Sequence, residues 1–312
     1  MRFMKKLLVL FFVIIAGKAQ AQQDPQYSLN MFNIYSVNPA FAGSYDQFNA
    51  LAIHRSQWAG FDGAPTTQHL SLEAPVYFLH GGAGITVTND KVGVGYQRGV
   101  NISYAYQTKL TKKAELGVGF SFGFTDTGFE GTWLAPDGTS GANDDAIPSM
   151  GSNSVSPDLG MGIYYRLKEF YLGLAVTHLL ESKAEFDEIA NVGQVKHYYL
   201  TSGFKYDLNT MVTLKPSFYM KTDGVSAQYD FNMMVDYGDR FWGGMTYRVD
   251  DAVAMIVGLD ITDNLKFGYA YDITVSDLKS ESSGSHEVML RYSFRMRPPT
   301  KLPTGYRNIR YN

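Results

Sequence analysis

"LGVGFSFGFT", residues 116–125, decides the fold. Leu116, Val118, Phe120, Phe122 and Phe124 alternate with Gly117, Gly119, Ser121, Gly123 and Thr125. Successive side chains of a strand point to opposite faces, so a strict period of two predicts one greasy face and one small or polar face. The same alternation recurs to the end of the chain. Tyr229, Phe231, Met233, Val235 and Tyr237 oppose Asp230, Asn232, Met234 and Asp236. Leu265, Phe267, Tyr269, Tyr271 and Ile273 oppose Asn264, Lys266, Gly268, Ala270 and Asp272. Val288, Leu290, Tyr292 and Phe294 oppose Glu287, Met289, Arg291, Ser293 and Arg295.

A soluble sandwich buries such an apolar face, whereas an outer-membrane barrel turns it to lipid and keeps polar groups in the lumen. Three features favour the barrel. The segments run to about 10 residues, the length that crosses a tilted barrel wall. Charges recur at mid-strand on one face, at Lys215, Asp230, Arg248, Lys266 and Arg291, where they can pair across a lumen. The apolar faces carry frequent Tyr, as an interfacial girdle requires. Candidate strands fall near 48–57, 67–75, 82–90, 93–109, 114–125, 158–166, 170–179, 196–206, 211–220, 226–237, 241–248, 252–260, 264–273 and 286–295. The expected fold is all-β, a transmembrane outer-membrane barrel of about 14 antiparallel strands, an even number as such barrels have.

Connection lengths point the same way. With a periplasmic N-terminus, the odd-numbered connections lie outside the cell, and the long ones, 58–66, 126–157, 180–195 and 274–285, are all odd. Short periplasmic turns and longer outer loops are the barrel pattern. Both termini are expected in the periplasm.

The address agrees. Lys5 and Lys6 precede the apolar run Leu7 to Ala16, and Ala19-Gln20-Ala21 fits a signal-peptidase site, which predicts a signal peptide over 1–21. The apolar run is too short to span a bilayer. The expected location is the outer membrane of a Gram-negative bacterium. Taking the leader's four basic residues from 27 leaves 23 Lys and Arg against 30 acids, a charge of −7, which argues against nucleic-acid binding. Cys is absent, so disulfides and Cys-based metal sites are excluded. Four regions follow: the leader, an N-terminal segment 22–47, the barrel 48–295 and a basic tail 296–312.

Little in the chain suggests catalysis. The six His residues show no metal-ligand spacing such as H-x-x-x-H, and no Walker A, G-x-G-x-x-G or G-x-S-x-G occurs. His69 and Ser71 share a strand face, as barrel phospholipases require, but Leu70 and Leu72 hold the lipid-facing parity. That turns the pair into the lumen, and no third orienting group is evident. No enzymatic activity, cofactor or metal is expected. Loop 126–157 contains Asp137, Asp144 and Asp145 but lacks the ligand set of an EF-hand. Its Trp133, and the loop "QWAGFDGAPTT" (57–67) with Trp58, Phe61, Gly63 and Pro65, are candidate partner contacts, because rigid aromatic loops supply binding hot spots. The tail "MRPPTKLPTGYRNIRYN" (296–312) carries Arg297, Arg307 and Arg310 and no acid, and reads as a solvated tail or a basic periplasmic contact.

Before the first strand stands "IYSVNPAFAGSYDQF" (34–48). Tyr27, Met31 and Tyr35 have the i, i+4 spacing of one helical stripe, and Asn38-Pro39 should end it. Gly43 is placed to swing the chain into the first strand. Residues 24–44 are expected to fold against or into the periplasmic mouth of the lumen as a plug.

Three stretches resemble the PorP/SprF membrane proteins of the Bacteroidetes type IX secretion system. They are "DPQYSLNMFNIYSVNPAFAGS" (24–44), with Asn38, Pro39, Phe41 and Gly43 in its core, "HRSQWAGFDGAPTTQHLSLEAP" (54–75), and "PDLGMGIYYRLKEFYLGLAVTHL" (157–179). The closing "NIRYN" keeps Asn308, Arg310 and Tyr311 of that family's terminal signature without its proline. The resemblance implies a non-enzymatic outer-membrane barrel of the secretion or gliding machinery. Its partners would be outer-membrane lipid, a secreted type IX cargo or adhesin to export or hold at the surface, and periplasmic components. A porin for small solutes is the alternative.

Overall fold

The computed structural model describes residues 24–296 apart from 61, 131–150, 187–189, 239, 277–278 and 280–281. Fourteen strands form the wall. They are β1 (Gln47–Ser56), β2 (Thr66–Val76), β3 (Gly81–Val92), β4 (Gly95–Lys109), β5 (Glu115–Phe129), β6 (Asn153–Arg166) and β7 (Phe170–Thr177), followed by β8 (His197–Phe204), β9 (Val212–Thr222), β10 (Ala227–Tyr237), β11 (Phe241–Arg248), β12 (Ala252–Asp260), β13 (Leu265–Thr274) and β14 (Ser285–Arg295). Tyr206–Asp207 continues β8 after a one-residue break. Each strand pairs antiparallel with its neighbours in sequence, and β1 pairs with β14 from Gln47↔Arg295 to Ser56↔His286. The sheet is a closed up-and-down barrel, which leaves no edge strand unpaired.

Every expected strand is present, with β5 and β6 longer than the alternation alone suggested. The odd-numbered connection between β7 and β8 adds a small hairpin, Lys183–Phe186 with Ala190–Gly193. The long connections gather at one end, called here the far end. The near end carries the short turns, the start of β1 and the finish of β14.

The outward parity is apolar along the middle of the wall and turns polar toward the far end, as at His54 and Gln68. Val100 and Ile102 on β4, Phe120, Phe122 and Phe124 on β5, and Leu70 and Leu72 on β2 are exposed, whereas His69 and Ser71 between and beside the two leucines are buried. The expected inward turn of His69 and Ser71 is therefore what the wall adopts.

The inward parity is not uniformly polar. Leu51 and Ile53 of β1, Met234 of β10, Trp242 of β11, Ile256 of β12 and Met289 of β14 face inward and are buried with Tyr27 and Leu29. Those two residues belong to the segment 24–46, which runs inside the wall. Its contacts reach β1, β11, β13 and β14 on one side and β4, β6 and β7 on the other. Each aliphatic side chain enclosed there contributes about 1.5–3 kcal/mol relative to exposure.

Local structure of the segment differs from one continuous helical stripe. A 3-10 turn (Asn30–Phe32) and a helical turn (Ile34–Val37) are separated by Asn33, whose φ of −118° lies outside the helical range. Tyr27 and Met31 consequently pack with Trp242, while Tyr35 packs with Ala42 and Ala105. Asn38-Pro39 does end the helical turn: the Asn38 amide donates to Ile34 O, its side chain caps Ala40 N, and Pro39 opens a second 3-10 turn (Pro39–Phe41). Gly43, at φ +73°, reverses the chain toward β1.

Candidate functional site: the segment inside the barrel

Fixation begins where Ser28 meets four strands. Its amide donates to Glu287 Oε2 at 2.8 Å, and the Leu29 amide donates to Glu287 Oε1 at 2.9 Å. The Ser28 hydroxyl donates to Asp272 Oδ2 at 2.7 Å and accepts from Arg55 Nη1 at 3.0 Å and Arg248 Nη2 at 3.2 Å. Arg55 bridges Asp272 at 2.7 Å and Glu287 at 2.9 Å, and Arg248 bridges Asp230 and Asp272, each at 3.2 Å. Asn30 and Gln26 side-chain amides both donate to Asp230 Oδ2 at 3.0 Å.

These charges are dry: Arg55 and Arg248 are 1 % exposed, Asp230 and Glu287 0 %. The wall supplies three carboxylates against two guanidinium groups, an excess of negative charge. The segment brings no charge to them but donates five hydrogen bonds. Buried charge is tolerated when its lone pairs and protons are met, so the segment's donors offset part of what the wall leaves unbalanced.

A second set of contacts holds the stretch leading to β1. Asn38 Nδ2 donates to the carbonyls of Ile163 at 3.1 Å and Leu174 at 3.4 Å. Gln107 Nε2 donates to the carbonyls of Ala40 and Ala42, each at 2.9 Å. The Gly43 amide donates to Glu73 Oε2 at 3.1 Å, Asn49 donates to Glu73 Oε1 at 2.9 Å, and Arg291 donates to Asn49 at 2.9 Å. Phe41 lies 5.1 Å edge-on to Tyr164, and Pro39 is buried. The wall thins to receive this backbone. A Cβ on Gly82 would strike Ala42 and Gly43, and one on Gly119 would strike Pro39 and Ala40.

The segment goes further than a fold against or into the mouth where β1 begins: it runs on through the lumen. Asp24 lies at the far end, against His178 and His197, which flank the long connection between β7 and β8. His178 Nε2 is 2.7 Å from Asp24 Oδ1, the Tyr199 hydroxyl donates to Asp24 Oδ2, and Lys221 Nζ donates to Asp24 O at 2.7 Å. Burial works against the Asp24 charge, but His178 and His197 outweigh it and hold the carboxyl well below the usual carboxylate range. Burial likewise opposes charge on His178, yet Asp24 and Asp158 hold its imidazole well above the usual range. Asp24, His178 and His197 can each offer a metal ligand within 4.8 Å of the others, a convergence that sequence spacing does not reveal.

The lumen is reduced to separate spaces. A cavity of about 110 Å³ on the far side is bordered by Asp24, His69, Thr88, Asp90, Asn101 and His178. On the near side two recesses of about 320 and 440 Å³ share Phe32, Lys215, Asp236 and Arg291. Lys215 and Lys266 pair with wall neighbours, Asp236 and Asp260, whereas Arg248 also reaches Asp272 two strands away.

Of the candidate contact residues, the described ones stand apart from this interior. Trp58, Gly63 and Pro65 lie in the far-end connection 57–65. The Gln57 amide donates to Pro65 O at 2.9 Å, the Ala59 amide to Gly284 O at 2.7 Å, and the Gly93 amide to Gly63 O at 2.9 Å. The Trp58 amide donates to Ser285 Oγ at 3.1 Å. The loop is thus braced by two neighbouring connections. Phe61, Trp133, Arg297, Arg307 and Arg310 lie outside the described residues, as do the leader and the tail beyond residue 296. His69 Nδ1 is 2.9 Å from Thr88 Oγ1, which gives that histidine a wall partner rather than Ser71.

The family model for the type IX secretion system membrane protein PorP/SprF matches residues 19–292. The chain belongs to the PorP/SprF family. It is thus an outer-membrane barrel with a membrane role in type IX secretion. The match takes in the whole segment inside the barrel and nearly all of the wall, so in this PorP/SprF protein plug and wall fall within one family unit. No curated protein matches the sequence at a significant level. Among solved structures, the chain is similar to the Acinetobacter baumannii outer membrane protein Omp33, at 10% identity over 81% of this chain and 98% of that one, with a TM-score of 0.46. It is also similar to the P. putida toluene transporter TodX, at 11% identity over 83% and 93%, TM-score 0.47, and to the KdgM porin, at 15% identity over 79% and 99%, TM-score 0.37.

Proposed function

We propose that this protein is a non-enzymatic component of the type IX secretion and gliding machinery that helps export a secreted partner, an adhesin, or holds it at the cell surface. The observation that carries this reading is the dry ionic lock around Ser28. A lumen filled by the chain's own segment leaves the loops and ends as the working surfaces. In this reading the far end faces outward and the near end faces the periplasm, in line with the distribution of long and short connections. The braced loop with Trp58, Gly63 and Pro65, together with Phe61 and Trp133, forms the outer contact. The basic tail with Arg297, Arg307 and Arg310 meets periplasmic components. Export by a signal peptide over 1–21 is part of the proposal.

Affinity capture with the tagged barrel tests it. Cargo C-terminal domains or other type IX components should be recovered, and Trp58→Ala should lower the recovery of cargo. Recovery of neither from wild type overturns the reading. The spaces on either side of the segment favour a second reading, a porin whose segment leaves the lumen. Steady large conductance of the wild-type protein in planar bilayers would support the porin; silence supports the plug.

A further inference from the structure

The far-end anchor of the segment has the make-up of a metal site. Asp24 supplies a carboxylate, His178 Nε2 lies 2.7 Å from it, and His197 Nε2 accepts from the Asp24 amide over a long 3.5 Å. On each histidine the other ring nitrogen is already engaged. His178 Nδ1 is 3.1 Å from Asp158 Oδ1, and His197 Nδ1 donates to Val195 O at 2.9 Å. A carboxylate or carbonyl behind each imidazole is how metal-binding histidines are oriented: it fixes the ring and turns Nε2 toward Asp24. The Tyr199 hydroxyl also donates to Asp24 Oδ2. Two imidazoles and one carboxylate are zinc ligands, and the oxygen cage that calcium needs is not what these residues offer.

We propose that Asp24, His178 and His197 bind one zinc ion that fastens the leading end of the segment to β7 and β8, with water completing the tetrahedron. Tetrahedral ligands at zinc distances stand roughly 3.3 Å apart, so Asp24 Oδ1 retreats about 0.6 Å from His178 Nε2 on loading. The proton held between Asp24 and His178 leaves as zinc enters, and the Lys221 ammonium keeps its bond to the Asp24 carbonyl. The site stands independently of which partner the barrel serves.

The test uses the full chain in detergent, stripped with EDTA and then given zinc chloride. Bound zinc is measured by elemental mass spectrometry after desalting. One zinc per chain is expected for wild type and none for His178→Ala or His197→Ala. Asp158→Asn, which keeps every ligand, should weaken affinity about 10- to 100-fold. His54→Ala and His286→Ala, away from the site, should retain the ion. Cobalt provides a readout that needs no variant: the wild-type protein should show the strong visible absorption of tetrahedral cobalt. No zinc above the His178→Ala level, undiminished zinc in both histidine variants, or no tetrahedral cobalt spectrum would each overturn the site.

Discussion

The backbone amide of Ser28 donates to the carboxylate of Glu287 at 2.8 Å, joining the start of the described chain to its last strand. Around that bond, Arg55 contacts both Glu287 and Asp272 with no access to water. Truncating Arg55 leaves Glu287 without its cation and Asp272 with Arg248 alone in a dry interior. Arg55→Ala is expected to destabilise the barrel by about 3–5 kcal/mol. Loss of the folded band at lower temperature in heat-modifiability gels, or a lower urea midpoint, measures it. An unchanged midpoint would mean that the lock carries no stability.

Gly82 gives the sharpest way to displace the segment without touching its sequence. Gly82→Val places branched carbon where Ala42 and Gly43 now lie, while the wall hydrogen bonds of β3 are unaffected. The barrel should still form, with the segment cut by added protease and a conductance absent from wild type. Overpacking of this kind costs about 1–3 kcal/mol, too little to undo the closed wall.

Asn38 serves as cap and clamp at once. Asn38→Ala removes the cap on Ala40 and both donations to the wall, for an expected loss of about 1–3 kcal/mol. Asn38→Asp restores the cap but sets a carboxylate against two carbonyls, so it should not rescue. Hydrogen exchange at the Ala40 amide reads this directly: both variants should speed it, and equal protection in all three proteins would contradict the assignment.

The absence of native cysteine makes the layout accessible to thiol labelling. Leu29→Cys, at a position with no exposure, should resist maleimide until the barrel is unfolded. Val225→Cys, 90 % exposed on the far-end turn, should react with an impermeant maleimide on intact cells, and Leu208→Cys on a near-end turn should not. The reverse pattern would invert the proposed orientation.

The wall was legible because lipid imposes one rule on its outer face: Phe120, Phe122 and Phe124 must be apolar whatever lies inside. The inner face obeys no such rule. Leu51, Ile53, Met234 and Ile256 face inward only because Tyr27 and Leu29 arrive to cover them, and alternation cannot announce an arriving segment. Asn38-Pro39 and Gly43 were readable as breaks, since caps and positive φ leave local signatures. The wall side chains that hold this stretch, Gln107 on Ala40 and Ala42 and Glu73 on Gly43, were not, because a polar inward residue is expected in any barrel. His178 and His197 sit on opposite sides of a long connection, and only the pairing of β7 with β8 brings them to Asp24.

The closing seam sets an order of events. Glu287, which holds the Ser28 and Leu29 amides, and Arg291, which reaches Gly43 only through Asn49 and Glu73, both stand on β14, the strand that zips against β1. A chain lacking its final strand has neither a finished wall nor a seated segment. Sealing the cylinder and docking its contents are therefore one step of biogenesis, completed when β14 pairs with β1, and an unfinished copy carries its own mark of incompleteness.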